Sequence, residues 1–101
     1  MDKNLRVELV VNNIPIELNP FVEEFLTRTV VGAVSSLRGA DNIRDMELYM
    51  KRGHVKLVVN GNELTLTPFP QNIITNTITC LVSSLKGVDK IDSMRINVKA
   101  Q

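Results

Sequence analysis

The sequence predicts an α+β protein in which a ββαβ unit occurs twice in tandem. The chain of 101 residues matches itself at an offset of 48, where residues 6–51 align with residues 54–99 without a gap and 19 of the 46 aligned positions are identical. Each copy holds short segments of alternating apolar and polar residues and one segment with helical spacing. We therefore expect a single domain, 1–101, made of two tandem repeats, 6–51 and 54–99.

Each repeat begins with two strands that the sequence joins by a two-residue turn. Asn12-Asn13 in the first repeat and Asn60-Gly61 in the second tolerate the positive φ that a type I′ hairpin requires. These turns place apolar residues of both strands on one face of the hairpin. The predicted pairs are Leu9 with Ile16, Val7 with Leu18, Leu57 with Leu64 and Val55 with Leu66.

A helix is predicted after each hairpin, over residues 20–38 and in the matching part of the second repeat. Asn19 is a candidate N-cap with Pro20 at the first helical position, and Thr67 and Pro68 repeat this pattern. Glycines that can adopt a left-handed C-cap follow both segments, at Gly39 and Gly87. The first helix has apolar residues near helical spacing, which we expect to face the core: Phe21, Phe25, Ala33, Val34 and Leu37.

The junction between the repeats constrains the strand order. Only Arg52-Gly53 separates the third strand from the fourth, so these strands should form a hairpin with Lys51 opposite His54. The fourth strand then has partners on both edges, and the sixth strand must pair with the first if the repeats are equivalent. The sequence thus predicts largely antiparallel sheets with two helices on one face, arranged as an interlocked pseudo-two-fold dimer.

Composition excludes several classes of protein. With 12 Lys and Arg against 11 Asp and Glu, the net charge is +1, which argues against a general polyanion binder. One Cys and one His exclude an intrachain disulfide and a Cys/His zinc set. No apolar run approaches the length of a membrane span, so we expect a cytoplasmic protein without a membrane partner. The glycines lack phosphate-binding spacing, and we expect no cofactor.

The second helical segment suggests a protein interface. No charged residue occurs from Leu64 to Leu85. Charge is depleted at interface cores, so this helix is a candidate contact with a partner or a second copy, although the same composition also fits a plain polar surface. The candidate interface residues are Asn72, Thr75, Asn76, Thr79 and Ser83.

Basic residues near the central hairpin give a second candidate surface. Together with Tyr49 as a stacking surface, they suggest contact with nucleic acid; the alternative is a solvated hairpin that uses charge to protect a strand edge. The candidate residues are Lys51, Arg52, His54, Lys56, Arg95 and Lys99.

Other residues favour structural roles. Cys80 lies inside the second helix and is expected to be a buried or half-buried small apolar residue. Ser35-Ser36 and Ser83-Ser84 should bond back to helix carbonyls. Asp41 and Asp89 either cap their own turns or, brought together, form a cation or acid-base site.

The leading hypothesis is a non-catalytic protein-interaction domain that forms a homo-oligomer through the second helix or an exposed strand edge. Weak nucleic-acid binding is the alternative. A third hypothesis, an enzyme or small-ligand carrier, requires a pocket, and the space between the repeats is where we expect one.

Overall fold

The computed structural model describes residues 5–37, 40, 42–52, 54–85, 88 and 90–100. Gly39, Gly53, Gly87, Asp41 and Asp89 lie outside these residues, and so do the predictions made for them. The elements follow the predicted order: β1 Leu5–Val11, β2 Ile14–Ile16, α1 Pro20–Ser35, β3 Asp45–Lys51, β4 His54–Val59, β5 Asn62–Leu64, α2 Pro68–Ser83 and β6 Ser93–Ala100.

Within the described ranges, two helices pack on a six-stranded antiparallel sheet, which confirms the α+β prediction. The strand order is β2-β1-β6-β3-β4-β5. β6 lies beside β1, and β4 lies between β3 and β5, as expected from the tight central hairpin. The sequence did not predict the pairing of β3 with β6, which joins the two three-stranded groups into one sheet. Through this pairing, the backbone N–H and C=O groups that each strand would otherwise expose at an edge form hydrogen bonds.

The turns have the predicted chemistry. Asn12 and Asn13 have φ of 51° and 67°, and Asn60 and Gly61 have φ of 50° and 84°, as a type I′ turn requires. In the central hairpin Lys51 lies opposite His54 as predicted.

Both outer strands are shorter than predicted. β2 and β5 have three residues each, and their ladders begin with Leu9 opposite Ile16 and Leu57 opposite Leu64. Leu18 and Leu66 therefore do not extend these ladders; they pack against the core where the chain turns into the helix.

The helices begin where the sequence predicts. The Oδ1 of Asn19 accepts a hydrogen bond from the Val22 N–H at 2.8 Å, and Pro20 and Pro68 begin the helices. Thr67 has the same extended backbone as Asn19 but makes no capping bond with its side chain.

The buried side of α1 differs from the prediction. Phe21 and Phe25 are 72% and 49% exposed, and the buried residues of α1 are Leu26, Thr27, Val30, Val31 and Val34. At 100° per residue, Phe21 and Phe25 lie on the side of the helix opposite Leu26, Val30 and Val34. The prediction that these aromatic rings face the core is wrong, because the aliphatic run after them occupies that side.

The core fills the space between the helices and one side of the sheet. Alternate residues of the four inner strands are buried there, and β6 contributes Met94, Ile96 and Val98. We call the other side of the sheet the open face: it carries the intervening residues of each strand, and no described helix covers it. The molecule is accordingly thin, with principal extents of 34 × 31 × 18 Å.

Two asparagines tie each repeat to the other. The Nδ2 of Asn12 donates to the Lys90 carbonyl at 2.6 Å, and its Oδ1 accepts from the N–H groups of Asp92 at 2.7 Å and Ser93 at 3.0 Å. A residue of the first repeat thus holds the chain that leads into the last strand of the second. The sequence predicts only a turn role for Asn12, and these contacts were not expected from it.

Asn60, 48 residues later, makes the matching bonds in the opposite direction. Its Nδ2 donates to the Asn42 carbonyl at 3.0 Å, and its Oδ1 accepts from the N–H groups of Arg44 at 2.8 Å and Asp45 at 3.1 Å. The start of β3 is therefore held by the second repeat.

Candidate functional site

The outer faces of the two helices occupy equivalent positions and are both exposed. We define each outer face by six residues that correspond under the 48-residue offset. For α1 these are Phe21, Glu24, Phe25, Arg28, Gly32 and Ser35, and for α2 they are Phe69, Asn72, Ile73, Asn76, Cys80 and Ser83.

Charge distinguishes the two outer faces. On α1, Arg28 Nη2 lies 3.0 Å from Glu24 Oε1, an ion pair between residues four apart. On α2 the same two positions carry Asn72 and Asn76. The outer face of α2 therefore has the same backbone setting as that of α1 but no charge.

Large apolar side chains are exposed on both outer faces. Phe69 and Ile73 are 72% and 48% exposed on α2, close to the values of Phe21 and Phe25 on α1. The rings of Phe21 and Phe25 contact each other, with centroids 5.8 Å apart. Exposed apolar residues that cluster on a surface without charge are typical of interaction sites.

The structure separates the five predicted interface residues into two groups. Asn72, Asn76 and Ser83 are exposed on the outer face of α2. Thr75 and Thr79 are half-buried at its side, and the Oγ1 of Thr75 is buried without a hydrogen-bond partner among the described residues. A charged substitution at Thr75 would therefore test folding rather than association.

Phe69 and Ile73 are interface candidates that the sequence prediction missed. The sequence prediction assigned the aromatic residues of the first helix to the core. Because Phe69 and Ile73 occupy the equivalent positions of the second helix, they were not considered as surface residues. The aliphatic positions Ile74, Ile78 and Val82 recur at helical spacing and are buried. If these aliphatic positions are taken as the side that faces the core, Phe69 and Ile73 are expected on the exposed side of the helix.

Cys80 also differs from the prediction: it is exposed, not buried. Its position on α2 lies away from the buried stripe, so the small apolar role expected for it is wrong. His54 lies on the open face, because its strand neighbour Val55 points to the core side. The two side chains are on opposite layers of the molecule and do not form a nucleophile pair.

Four of the six predicted basic contacts lie together on the open face around Tyr49. In the sheet register, Tyr49 of β3 lies opposite Lys56 of β4 and opposite Arg95 of β6, and the Arg95 guanidinium carbon is 5.7 Å from the centre of the Tyr49 ring. Lys51 and His54 pair in the next open-face row. We call these five residues the Tyr49 cluster: Lys51, His54, Lys56, Arg95 and Tyr49.

The remaining two predicted contacts lie elsewhere. Lys99 is opposite Asp45 and Arg6 at the other end of the sheet, and Arg52 occupies the central turn with φ of 48°. Between Lys99 and the Tyr49 cluster runs an acidic row, with Glu8, Glu47 and Glu63 on β1, β3 and β5. The open face therefore carries a local basic region and not a continuous one.

Three of the four serines at the helix ends make the expected hydrogen bonds to helix carbonyls. Ser36 Oγ donates to the Gly32 carbonyl at 3.2 Å, and Ser84 Oγ donates to the Cys80 carbonyl at 3.0 Å. Ser83 Oγ bonds the Thr79 carbonyl at 2.7 Å. These hydroxyls satisfy carbonyl groups at the ends of the helices.

An open pocket of about 410 Å³ lies between the end of α1 and the start of α2. Ser36 and Leu37 line it from the first repeat, and the second repeat contributes Leu64, Thr65, Leu66, Thr67 and Pro70. None of these lining residues is titratable.

Among the described residues, no group of three or more His, Cys, Asp or Glu side chains could hold a metal ion. Neither helix in the described part of the chain has the length and hydropathy needed to cross a membrane. Compared with protein-family models, with curated proteins and with solved structures, the chain gives no significant match.

Proposed function

We propose that the protein is a non-catalytic, cytoplasmic interaction module that self-associates through the outer face of α2. One difference between the helices carries this proposal. The outer face of α1 has the Glu24–Arg28 ion pair, whereas the equivalent positions of α2 carry the uncharged residues Asn72 and Asn76. Exposed Phe69 supplies apolar area beside these amides. Burial of that area favours association without the cost of desolvating a charge.

The uncharged outer face of α2 suits contact with a second copy of the chain. Near a two-fold axis each residue meets its own copy, so a charged side chain would face a like charge. Asn72 and Asn76 each carry amide donors and an acceptor, and can therefore pair with themselves. The net charge of +1 adds little repulsion between copies.

The sheet edges are poorer contacts than the helix. β2 and β5 are the edge strands, each has three residues, and Pro15 in β2 lacks an N–H donor. Short edge strands and edge prolines oppose strand addition. Of the two routes to self-association that the sequence suggested, α2 is the better supported.

We also propose that the chain is an internally duplicated, interlocked pseudo-two-fold dimer. The strand registers support this: Leu9 opposite Ile96 in the β1–β6 pair corresponds, after the 48-residue shift, to Leu57 opposite Leu48 in the β4–β3 pair. The reciprocal bonds of Asn12 and Asn60 support it as well. In this arrangement each repeat provides its third strand to the other.

A charge transplant between the helices tests the proposed function. The double variant Asn72→Glu, Asn76→Arg gives α2 the ion pair of α1 and leaves the net charge unchanged. Because such a pair stabilises an exposed helix by about 0.3–0.5 kcal/mol, loss of association would not reflect unfolding. The matched control is Glu24→Asn, Arg28→Asn on α1.

Sedimentation equilibrium provides the measurement. We expect the wild-type mass to rise above the 11.3 kDa of one chain with increasing concentration. The α2 variant should remain monomeric at concentrations where the α1 variant still associates. A wild-type mass of one chain at every concentration, or equal dissociation of both variants, would contradict the proposal.

A further inference from the structure

We propose that the Tyr49 cluster on the open face binds single-stranded nucleic acid, with one base stacked on the Tyr49 ring. This site lies on the layer opposite α2 and is independent of self-association. The site gives a function to basic residues that take no part in the proposed contact through α2.

The geometry places cations on both sides of one aromatic ring. Tyr49 lies on β3, and its cross-strand neighbours are Lys56 on β4 and Arg95 on β6. Adjacent strands are about 4.8 Å apart, so the Cα atoms of Lys56 and Arg95 lie roughly 10 Å from each other, one on each side of the strand that carries Tyr49.

The cations of the cluster are available to a ligand. In the described part of the chain, ion pairs within 4.0 Å join Arg6 to Glu23 and Arg28 to Glu24, and none involves Lys51, Lys56 or Arg95. Arg95 instead lies over the Tyr49 ring, where its planar guanidinium offers a further surface on which a base can stack.

The shape of the surface favours a single strand over a duplex. Sheet faces recognise unpaired bases by stacking them on aromatic side chains, whereas a duplex hides its base faces. A phosphorylated peptide would use the cations but would not need the half-buried Tyr49 ring. The acidic row through Glu8 and Glu47 borders the cluster and confines the contact to the region around Tyr49.

Two pairs of variants distinguish the contribution of base stacking to binding from the contribution of positive charge. Lys56→Gln and Lys99→Gln remove the same charge from the open face, one inside the cluster and one at the far end. Tyr49→Leu removes the ring, and Tyr49→Phe retains it. The probe is a fluorescein-labelled oligouridylate or oligodeoxythymidylate of about ten nucleotides, followed by anisotropy at low salt.

We expect measurable binding of both single strands by the wild-type protein and by Lys99→Gln. Tyr49→Leu should weaken binding about tenfold while Tyr49→Phe should not, because base stacking on an aromatic side chain contributes a factor of this order. If Lys51, Lys56 and Arg95 each neutralise one phosphate, the slope of log affinity against log salt should be about −2.

Three results would overturn the proposal. One is no change in anisotropy with either oligonucleotide at low salt, and another is an equal effect of Lys56→Gln and Lys99→Gln. The third is a Tyr49→Leu variant that binds as the wild type does, with inorganic polyphosphate competing as well as the oligonucleotide. That result would assign the cluster to simple anion attraction. None of these outcomes bears on association through α2.

Discussion

Leu48 and Ile96 lie directly opposite each other in the central pair of strands, β3 and β6. They occupy equivalent positions of the two repeats, 48 residues apart, and are 1% and 0% exposed. The β3–β6 pair therefore joins residues of both sequence repeats in the middle of one continuous sheet. Since β6 pairs with both β1 and β3, neither repeat has a sheet or a core of its own.

Removing either of these central side chains should destabilise the whole chain to a similar extent. We expect Leu48→Ala and Ile96→Ala each to lower the free energy of unfolding by about 2–5 kcal/mol, the usual cost of truncating a buried aliphatic residue. Urea unfolding followed by far-ultraviolet circular dichroism should show a single transition in both variants. Two separate transitions, or loss of structure confined to one repeat, would contradict an interlocked arrangement.

The asparagines that hold the third strands should matter more than their neighbours in the same turns. Asn12→Gly keeps the positive φ but removes the bonds to residues 90–93, and we expect it to cost about 1–3 kcal/mol. Asn13→Gly is the matched control, because Asn13 has φ of 67° and glycine adopts this conformation without strain. It should leave stability unchanged or raise it by up to about 1 kcal/mol. Equal destabilisation by both changes would assign Asn12 a turn role only.

Two equivalent threonines should respond in opposite ways to loss of the hydroxyl. Thr27 Oγ1 donates to the Glu23 carbonyl at 2.7 Å, whereas the Oγ1 of Thr75 is buried with no hydrogen-bond partner in the part of the chain that the structure describes. Thr75→Val should therefore stabilise the protein by about 1 kcal/mol, and Thr27→Val should destabilise it by about 0.5–1.5 kcal/mol. Thermal or urea unfolding measures both. A loss of stability in Thr75→Val would show that its hydroxyl has a partner in solution.

Local sequence signals predicted most of the fold. The turns at Asn12-Asn13 and Asn60-Gly61 fixed the hairpin registers, because only a few residue types tolerate the backbone conformation that they require. The tight central hairpin then left β6 without space beside β4 and placed it beside β1. The β3–β6 pair was not predictable in this way, since no turn connects these strands and nothing local specifies their register.

The candidate site was predicted only in part, for a physical reason. Asn72, Asn76 and Ser83 were found from the absence of charge, a property that sequence shows directly. Phe69 and Ile73 were missed because large apolar residues are assigned to the core by default, and exposure depends on which helical face the sheet covers. The same ambiguity explains why Cys80 was wrongly predicted to be buried or half-buried.

The most direct test of association through α2 uses the reactivity of Cys80, the one cysteine of the chain. Its thiol is exposed on the outer face of α2, so a contact on this face should shield it from alkylation as protein concentration rises. The control variant Gly32→Cys, Cys80→Ser places the thiol at the equivalent position of α1, where an added Cβ atom meets no neighbouring atom of the described residues within 4 Å.

The measurement is the second-order rate constant for alkylation by N-ethylmaleimide, determined across a range of protein concentrations. We expect the constant for Cys80 to fall in proportion to the unassociated fraction, while the constant for the thiol on α1 stays the same. A constant for Cys80 that does not change with concentration, or equal protection at both positions, would contradict association through α2.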